Sequence, residues 1–76
     1  MNLIDFEVRG DHIALDALLK ATGVASSGGM AKELITTGAV QLDGKPETRR
    51  SRKIRAGQEV VVADAHVRIR VHGPAL

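Results

Sequence analysis

The residues of this chain best suited to chemistry are the basic ones between Lys45 and Arg55. That segment holds six Lys or Arg residues and one acid, Glu47, so its formal charge is +5. The whole chain carries only +2, so the remaining residues sum to −3. Clustered guanidinium groups suit phosphate recognition, and a compact basic patch on a near-neutral body is typical of nucleic-acid binders. Composition alone leaves one alternative open, a solvated charged loop that keeps the protein soluble.

Other side chains offer little for catalysis or for metal binding. The sequence has no Cys, which excludes disulfides, thiolate metal sites and cysteine nucleophiles. His66 and His72 are predicted on one strand face, but Arg68 and Arg70 stand between them and oppose a bound cation. No Ser/His/Asp set and no phosphate loop with its lysine is recognisable. We therefore expect a protein that is not an enzyme, with no catalytic residue, metal or cofactor.

Length and composition limit the architecture and the mode of binding. With 76 residues, the chain has room for one domain with one core. No apolar run approaches the roughly 18 residues of a membrane span, and the acidic, polar N-terminus does not resemble a signal peptide, so we expect a cytoplasmic location. Phe6 is the only aromatic residue and is predicted to face the core. A nucleic acid would therefore be held by charge and shape rather than by base stacking.

Two helices are predicted to precede the basic segment. An apolar stripe at positions 15, 18 and 19 indicates a helix over about 14–22, with Gly23 ending it in the left-handed conformation. A second stripe indicates a helix over about 27–37, with Ser27 as its N-cap and Gly38 after its end. The short connection makes the two helices a compact pair that shares one core.

The remaining sequence predicts short strands, and the order of elements indicates an α+β fold. We expect a two-helix motif packed on a small, mainly antiparallel β-sheet. The domain is expected to span residues 1–72, with residues 73–76 as a loose C-terminal tail. The basic segment, with Pro46 and poor alternation, is predicted to be an irregular excursion from the sheet. The predicted strands are one around residues 5–9, then Val40–Leu42 before an Asp43-Gly44 turn, Glu59–Ala63 and His66–Val71.

Five pieces of sequence in a fixed order resemble a known family. Together they resemble the alpha-L RNA-binding motif of the small-subunit ribosomal protein S-four family, and more narrowly its short stand-alone bacterial members of the YbcJ-like type. The resemblance runs from about Phe6 to Val71 and so covers nearly the whole chain. The pieces are Ser27-Gly28-Gly29-Met30-Ala31-Lys32, Gly38-Ala39-Val40-Gln41-Leu42-Asp43-Gly44, Glu47-Thr48-Arg49-Arg50, Lys53-Ile54 and Gly57.

The resemblance implies a ligand and a set of binding residues. It implies RNA binding by the surface of the helix pair together with the adjoining loop. Arg52 and Arg55 belong to the same patch by charge rather than by motif. The residues carried over by position are Ser27, Gly28, Gly29 and Lys32 at the second helix, and Lys45, Arg49, Arg50 and Lys53 in the loop.

The start of the second helix departs from the family pattern. Its glycines and free N–H groups suit a phosphate, although Gly28 and Gly29 could equally serve only to begin the helix. Many larger homologues carry Arg or Lys at these two glycines, so their absence here moves the expected contacts onto the loop. The small family usually has Glu where this chain has Met30, so the capping box with Ser27 is incomplete.

We expect the chain to recognise structured RNA, with ribosomal RNA or tRNA as the ligand class and the ribosome as a candidate partner. We also expect it to act as a monomer and to make no membrane contact. Two alternatives remain open at the level of sequence. One is a protein-interaction module that docks its basic loop on an acidic partner in a ribonucleoprotein. The other is DNA binding, because charge does not distinguish the two sugars.

Overall fold

The computed structural model of the protein describes residues 1–74. Two helices lie between short strands, and most strands come after the helices. No helix in this part of the chain is long and apolar enough to cross a membrane. The elements are β1 (Asn2–Glu7), β2 (Ile13–Ala14), α1 (Leu15–Ala21), α2 (Gly28–Thr36), β3 (Val40–Leu42), β4 (Lys45–Pro46), β5 (Lys53–Ile54), β6 (Glu59–Val62), a 3-10 turn (Ala63–Ala65) and β7 (Val67–His72).

Five strands form one sheet in the order β1-β7-β6-β3-β4. Strand β1 runs parallel to β7, while the other pairs in this sheet are antiparallel. Strands β2 and β5 form a separate antiparallel pair. The predicted α+β fold, with two helices and a small, mainly antiparallel sheet, is confirmed.

The core lies between the helix pair and one face of the sheet. Alternation in β7 decides which residues enter it, since Val67, Ile69 and Val71 are buried while Arg68 and Arg70 are exposed. Phe6 is half-buried and packs against this core, as the alternation in β1 predicts. The buried hydrophobic residues are Val8, Leu15, Leu18, Leu19, Ala25, Ala31, Ile35, Val40, Leu42, Ile54, Val60, Val62, Val67, Ile69 and Val71.

Local signals at the helix ends behave as predicted. The hydroxyl of Ser27 accepts a hydrogen bond from the backbone N–H of Met30 at 3.1 Å, which makes Ser27 the N-cap of α2. Gly23 and Gly38 follow the two helices with φ angles of 78° and 84°, a conformation that favours glycine. The turn between β3 and β4 also has positive φ at both central positions, 50° at Asp43 and 83° at Gly44, which is the geometry that suits a tight hairpin.

Several predicted boundaries need correction. The basic segment is not irregular throughout, because β4 opens it and β5 lies near its end. The last strand begins at Val67 and not at His66, whose left-handed conformation (φ 54°) places it in the preceding turn. Positions 75 and 76 of the predicted tail lie outside the described residues, so the domain limit at residue 72 stays a prediction.

Candidate nucleic-acid interface

The segment of residues 45–55, called the basic loop below, is fixed at both ends by strand pairing. Its first residues pair with β3, with Lys45 opposite Leu42 and Pro46 opposite Gln41. Near its other end, Ile54 pairs with Ile13 of β2 and is fully buried. Burial of Ile54 thus anchors the loop to the core just before Arg55, and the charged residues between the two anchors remain at the surface.

The middle of the basic loop is bonded to the start of helix α1. The backbone N–H of Leu15 donates to the carbonyl of Arg52 at 2.9 Å, and that of Asp16 donates to the carbonyl of Arg50 at 3.1 Å. The first N–H groups of a helix have no partner within the helix. Here loop carbonyls satisfy two of them, which explains why Ala14, a residue without a capping side chain, can precede the helix.

Glu47 lies near the start of the loop and contacts both its backbone and two of its arginines. Its Oε2 accepts hydrogen bonds from the backbone N–H groups of Thr48 at 3.1 Å and Arg49 at 3.2 Å. The same oxygen accepts from Arg49 Nε at 3.3 Å, and Oε1 lies 3.7 Å from a guanidinium nitrogen of Arg52. The Glu47 side chain is only 12% exposed. One carboxylate therefore fixes the turn and orients two of the cations.

These contacts also change the acidity of Glu47. The hydrogen bond from the Arg49 side chain holds the pKa of the Glu47 carboxyl below its usual value, against the opposing effect of burial. The backbone N–H of Arg49 and the positive charges of Arg49 and Arg52 act in the same direction. Glu47 is therefore ionised at neutral pH, when its contacts with both arginines are charge-assisted.

The remaining cations of the loop differ in what they contact. Arg55 lies 3.5 Å from Asp11, an exposed pair that contributes little to stability. Within residues 1–74, Lys45, Arg50 and Lys53 have no carboxylate within ion-pairing distance, 4.0 Å. Three positive charges thus face solvent without a counter-ion from the protein, which is the arrangement that favours an external polyanion.

All the Lys and Arg side chains of the basic loop line shallow concavities in its surface. Two of these concavities share Arg49 and Ser51 and are therefore neighbours. A third, on the side of the β3–β4 hairpin, is lined in part by Lys45, Glu47 and Arg52. The first concavity is lined by Arg49, Ser51, Arg52, Lys53 and Arg55, and the second by Ala14, Asp16, Arg49, Arg50 and Ser51.

The start of helix α2 forms a separate exposed surface. Ser27, Gly28, Gly29 and Lys32 are all exposed, and the first turn of the helix contains no acid. Among residues 1–74, no hydrogen bond or ion pair joins the segment Ser27–Lys32 to the basic loop. The structure thus brings together the predicted loop residues but provides no contact between them and the predicted residues of α2.

Three residues of this surface were not predicted from the sequence. Asp16 and Ser51 line the second concavity, and Asp11 pairs with Arg55. An acid in the first turn of a helix is common and gives no sign of a site, and neither does a serine among arginines. The hydrogen bonds between α1 and the loop, which join positions more than 30 residues apart, bring Asp16 to the basic surface.

Asp43, in the turn between β3 and β4, has a structural role. Its Oδ1 accepts a hydrogen bond from the backbone N–H of Glu59 at 2.9 Å, and its Oδ2 accepts from the Gln58 side chain at 3.3 Å. Both contacts tie the β3–β4 turn to the start of β6. The Asp43 carboxylate, although it brings a negative charge near the basic loop, therefore holds the hairpin in place.

Comparisons with known proteins agree on one family. The family model described as "S4 domain" matches residues 6–70. The chain is similar to the putative RNA-binding protein YbcJ of Escherichia coli strain K12, with 45% identity over 58 residues that cover 76% of this chain and 83% of that one. The uncharacterized protein YbcJ of Shigella flexneri matches with the same values. A solution structure of E. coli YbcJ, described as revealing an alpha-L motif involved in RNA binding, matches at a TM-score of 0.67 and 39% identity, over 92% of this chain and 90% of that one.

Proposed function

Because the chain belongs to the S4 domain family, we propose that it binds structured RNA through the basic loop. The observation that carries this proposal is the arrangement of the loop cations. All six line adjoining concavities on a backbone that is held by β3, β2 and the start of α1. The relatives are described as RNA-binding, which supports RNA as the ligand.

Binding would proceed by docking the loop on the phosphate backbone. Arg49 and Arg52 are already oriented by Glu47, so their guanidinium groups lose little freedom when they meet a phosphate. Arg50 and Lys53 supply charge that no carboxylate of the described chain neutralises. Phosphate contacts fix the position of a nucleic acid but do not read its bases, so recognition would depend on the shape of the RNA.

We further propose that Ser27, Gly28, Gly29 and Lys32 make a second phosphate contact at the start of α2. The exposed N–H groups of a helix start and its positive dipole end favour an anion. The α2 start and the basic loop would then touch different parts of one folded RNA, which favours a structured ligand over a short single strand.

Ribosomal RNA or tRNA is the ligand class we propose, with the ribosome as a candidate partner. A non-enzymatic, monomeric, cytoplasmic protein is part of the same proposal. Crosslinking in cells, followed by sequencing of the bound RNA, tests the ligand class. Recovery of messenger RNA alone, with no enrichment of ribosomal RNA or tRNA, would contradict this part.

The loop itself is tested with two variants that remove the same charge from different surfaces. Arg50→Ala with Lys53→Ala removes two cations that lack protein partners, so the Glu47 contacts remain. We expect folded-RNA affinity to fall by about 1–3 kcal/mol. Arg68→Ala with Arg70→Ala removes two arginines from the exposed sheet face, where they lie near Glu59, and is the control matched in charge.

Binding is measured with purified RNA and no other protein. If the control weakens binding as much as the loop variant does, the basic loop is not the RNA surface. If the parent protein does not bind naked RNA at all, the alternative of an acidic protein partner is favoured.

A further inference from the structure

Asp16 is a carboxylate in a concavity otherwise lined by arginines and small residues. It lines the second concavity together with Arg49, Arg50 and Ser51. Its backbone N–H donates to the carbonyl of Arg50 at 3.1 Å, so the position of Asp16 relative to the loop is fixed. A negative charge at this point works against phosphate binding, and its presence therefore needs a reason.

Contacts within residues 1–74 occupy only one of the two oxygens of this carboxylate. Oδ1 of Asp16 accepts a hydrogen bond from the backbone N–H of Ala17 at 2.8 Å, which suits an acid in the first turn of a helix. Oδ2 accepts no hydrogen bond within residues 1–74, and no Lys or Arg nitrogen of these residues lies within 4.0 Å of the carboxylate. The neighbouring Arg49 pairs with Glu47 instead. An ionised carboxylate only accepts hydrogen bonds, so this oxygen is available for a donor from a ligand.

A nucleic acid has two kinds of neutral donor for such an oxygen, the ribose 2′-hydroxyl and the amino and imino N–H groups of the bases. Reading a base edge in single-stranded RNA requires the base to be turned out and stacked on an aromatic side chain or on a guanidinium plane, and the second use would take Arg49 or Arg50 away from the phosphate. The only aromatic residue, Phe6, is half-buried against the core. The 2′-hydroxyl belongs to the sugar next to each phosphate, so a strand held by Arg49 and Arg50 brings it close to Asp16 without base stacking.

We propose that Asp16 accepts a hydrogen bond from a ribose 2′-hydroxyl and so makes the basic loop prefer RNA to DNA. The inference rests on the proposed function, since it assumes that phosphates lie on Arg49 and Arg50. The hydroxyl of Ser51, in the same concavity, is a further partner for the 2′-oxygen. With DNA the donor is missing, and Asp16 then only repels the backbone.

A hydrogen bond from the 2′-hydroxyl to Asp16 predicts opposite effects of mutation on RNA binding and DNA binding. Asp16→Ala removes the acceptor that RNA uses and the negative charge that DNA meets, so RNA binding weakens while DNA binding stays equal or becomes tighter. The ratio of DNA to RNA dissociation constants should fall on the order of tenfold, the effect expected for one charge-assisted hydrogen bond. Asp16→Asn keeps a neutral acceptor for Ala17 and should give a ratio between those of the parent and Asp16→Ala.

The test measures binding of RNA, DNA and 2′-fluoro RNA of one sequence at a single salt concentration. The 2′-fluoro strand keeps the RNA-like sugar pucker but lacks the donor, so it separates the hydroxyl from helix shape. Each ratio is taken on a single protein sample, so a small loss of stability cancels. Asp5→Ala removes an exposed acid from β1, outside all three concavities of the loop, and is the control for charge alone.

We expect the parent protein to bind RNA more tightly than both DNA and 2′-fluoro RNA, and Asp16→Ala to reduce both preferences. Asp5→Ala should leave the ratios unchanged. The inference is overturned if the parent binds all three strands equally or if Asp16→Ala leaves the ratios unchanged. It is also overturned if the effect of Asp16→Ala appears only with one base at the site, which would indicate an N–H donor of that base. Absence of binding to every strand would instead contradict the proposed function.

Discussion

Glu47 is the acid that shapes the proposed RNA surface. It lies within a segment whose other charged residues are all positive, and it contacts two of them together with two backbone N–H groups. Its charge reduces the attraction of the loop for a polyanion, whereas its hydrogen bonds hold Arg49 and Arg52 in place. These two effects have opposite signs, and a mutation can show which one is larger.

We expect Glu47→Ala to weaken RNA binding, although the variant gains one unit of positive charge. Loss of the hydrogen bonds frees the turn and its arginines, and ordering them again should weaken binding by about three- to tenfold. Glu59→Ala is the matched control, because Glu59 also lies near two arginines, Arg68 at 3.3 Å and Arg70 at 3.7 Å, outside the loop. Dissociation constants at equal salt decide between the effects. Tighter binding by Glu47→Ala than by the control would contradict a positioning role.

The same carboxylate predicts a pH dependence of stability. The pKa of Glu47 is lowered in the folded protein from the ordinary value of 4.5, so the folded state binds this proton more weakly than the unfolded state does. Its contribution to stability is therefore complete above pH 4.5 and is lost as the pH falls through the folded-state pKa.

Urea unfolding of the parent and of Glu47→Gln from about pH 6 to about pH 3 measures this contribution. We expect the parent to be the more stable at the upper end, and the difference in unfolding free energy to shrink as the pH falls. A difference that stays constant across this range would mean that the ionised carboxylate has no stabilising contacts.

At the scale of elements, the start of helix α2 has only one of the two hydrogen bonds of a capping box. Ser27 caps the helix by accepting from the Met30 N–H, but Met30 cannot return a hydrogen bond to the Ser27 backbone as a Glu would. The Met30 side chain is 42% exposed, so a charged residue there would not be buried. Within residues 1–74 the only polar contact of this side chain is a weak one, from the Ser26 hydroxyl to its sulfur at 3.6 Å.

We expect Met30→Glu to raise stability by roughly 0.5–1 kcal/mol, because it completes the capping box and places an acid in the first turn. Thermal melting of the single variant measures the effect, and Met30→Gln separates the hydrogen bond from the charge. RNA affinity should not rise, since the new charge lies beside the proposed phosphate contact. A melting temperature at or below that of the parent would mean that the side chain does not reach the Ser27 N–H.

Elements with strong local signals could be predicted, and those that depend on distant contacts could not. Ser27, Gly23 and Gly38 mark helix ends through contacts with residues only a few positions away. The predicted bounds of both helices therefore agree with the structure to within about two residues. Strands β2 and β5 have two residues each, too few for a visible pattern, and exist because Ile13 pairs with Ile54. The bonding of the loop to α1 follows from that pairing. The sequence therefore indicates which cations lie together in the basic loop, but not the contacts of Glu47 or the position of Asp16 beside them.

At the scale of the whole molecule, the apolar core that stabilises the fold contains none of the loop cations that bind RNA in our proposal. The core is apolar, with no polar or charged residue buried among residues 1–74. The loop cations lie outside it, and among them only Arg52 is partly buried. Changes to either set should therefore affect stability and binding separately.

Two neighbouring residues of helix α2 differ in how deeply they are buried, so their mutations can be compared directly. Ile35 is fully buried, whereas its neighbour Leu34 is only partly buried and packs at the edge of the core. We expect Ile35→Ala to destabilise the protein by roughly 2–4 kcal/mol and Leu34→Ala by less, because a cavity at the edge can be filled by solvent or by movement of neighbours. Urea unfolding of both variants measures the difference. Equal losses would mean that the helix is rotated relative to the described structure.

The most direct test of RNA binding by the basic loop is the salt dependence of affinity of the parent protein for a folded RNA. If the loop contacts about three to five phosphates, the logarithm of the association constant should fall with the logarithm of the salt concentration at a slope of about −2 to −4. The slope should become shallower by about one for each loop cation removed. A slope near zero between low and physiological salt would contradict phosphate binding as the main source of affinity.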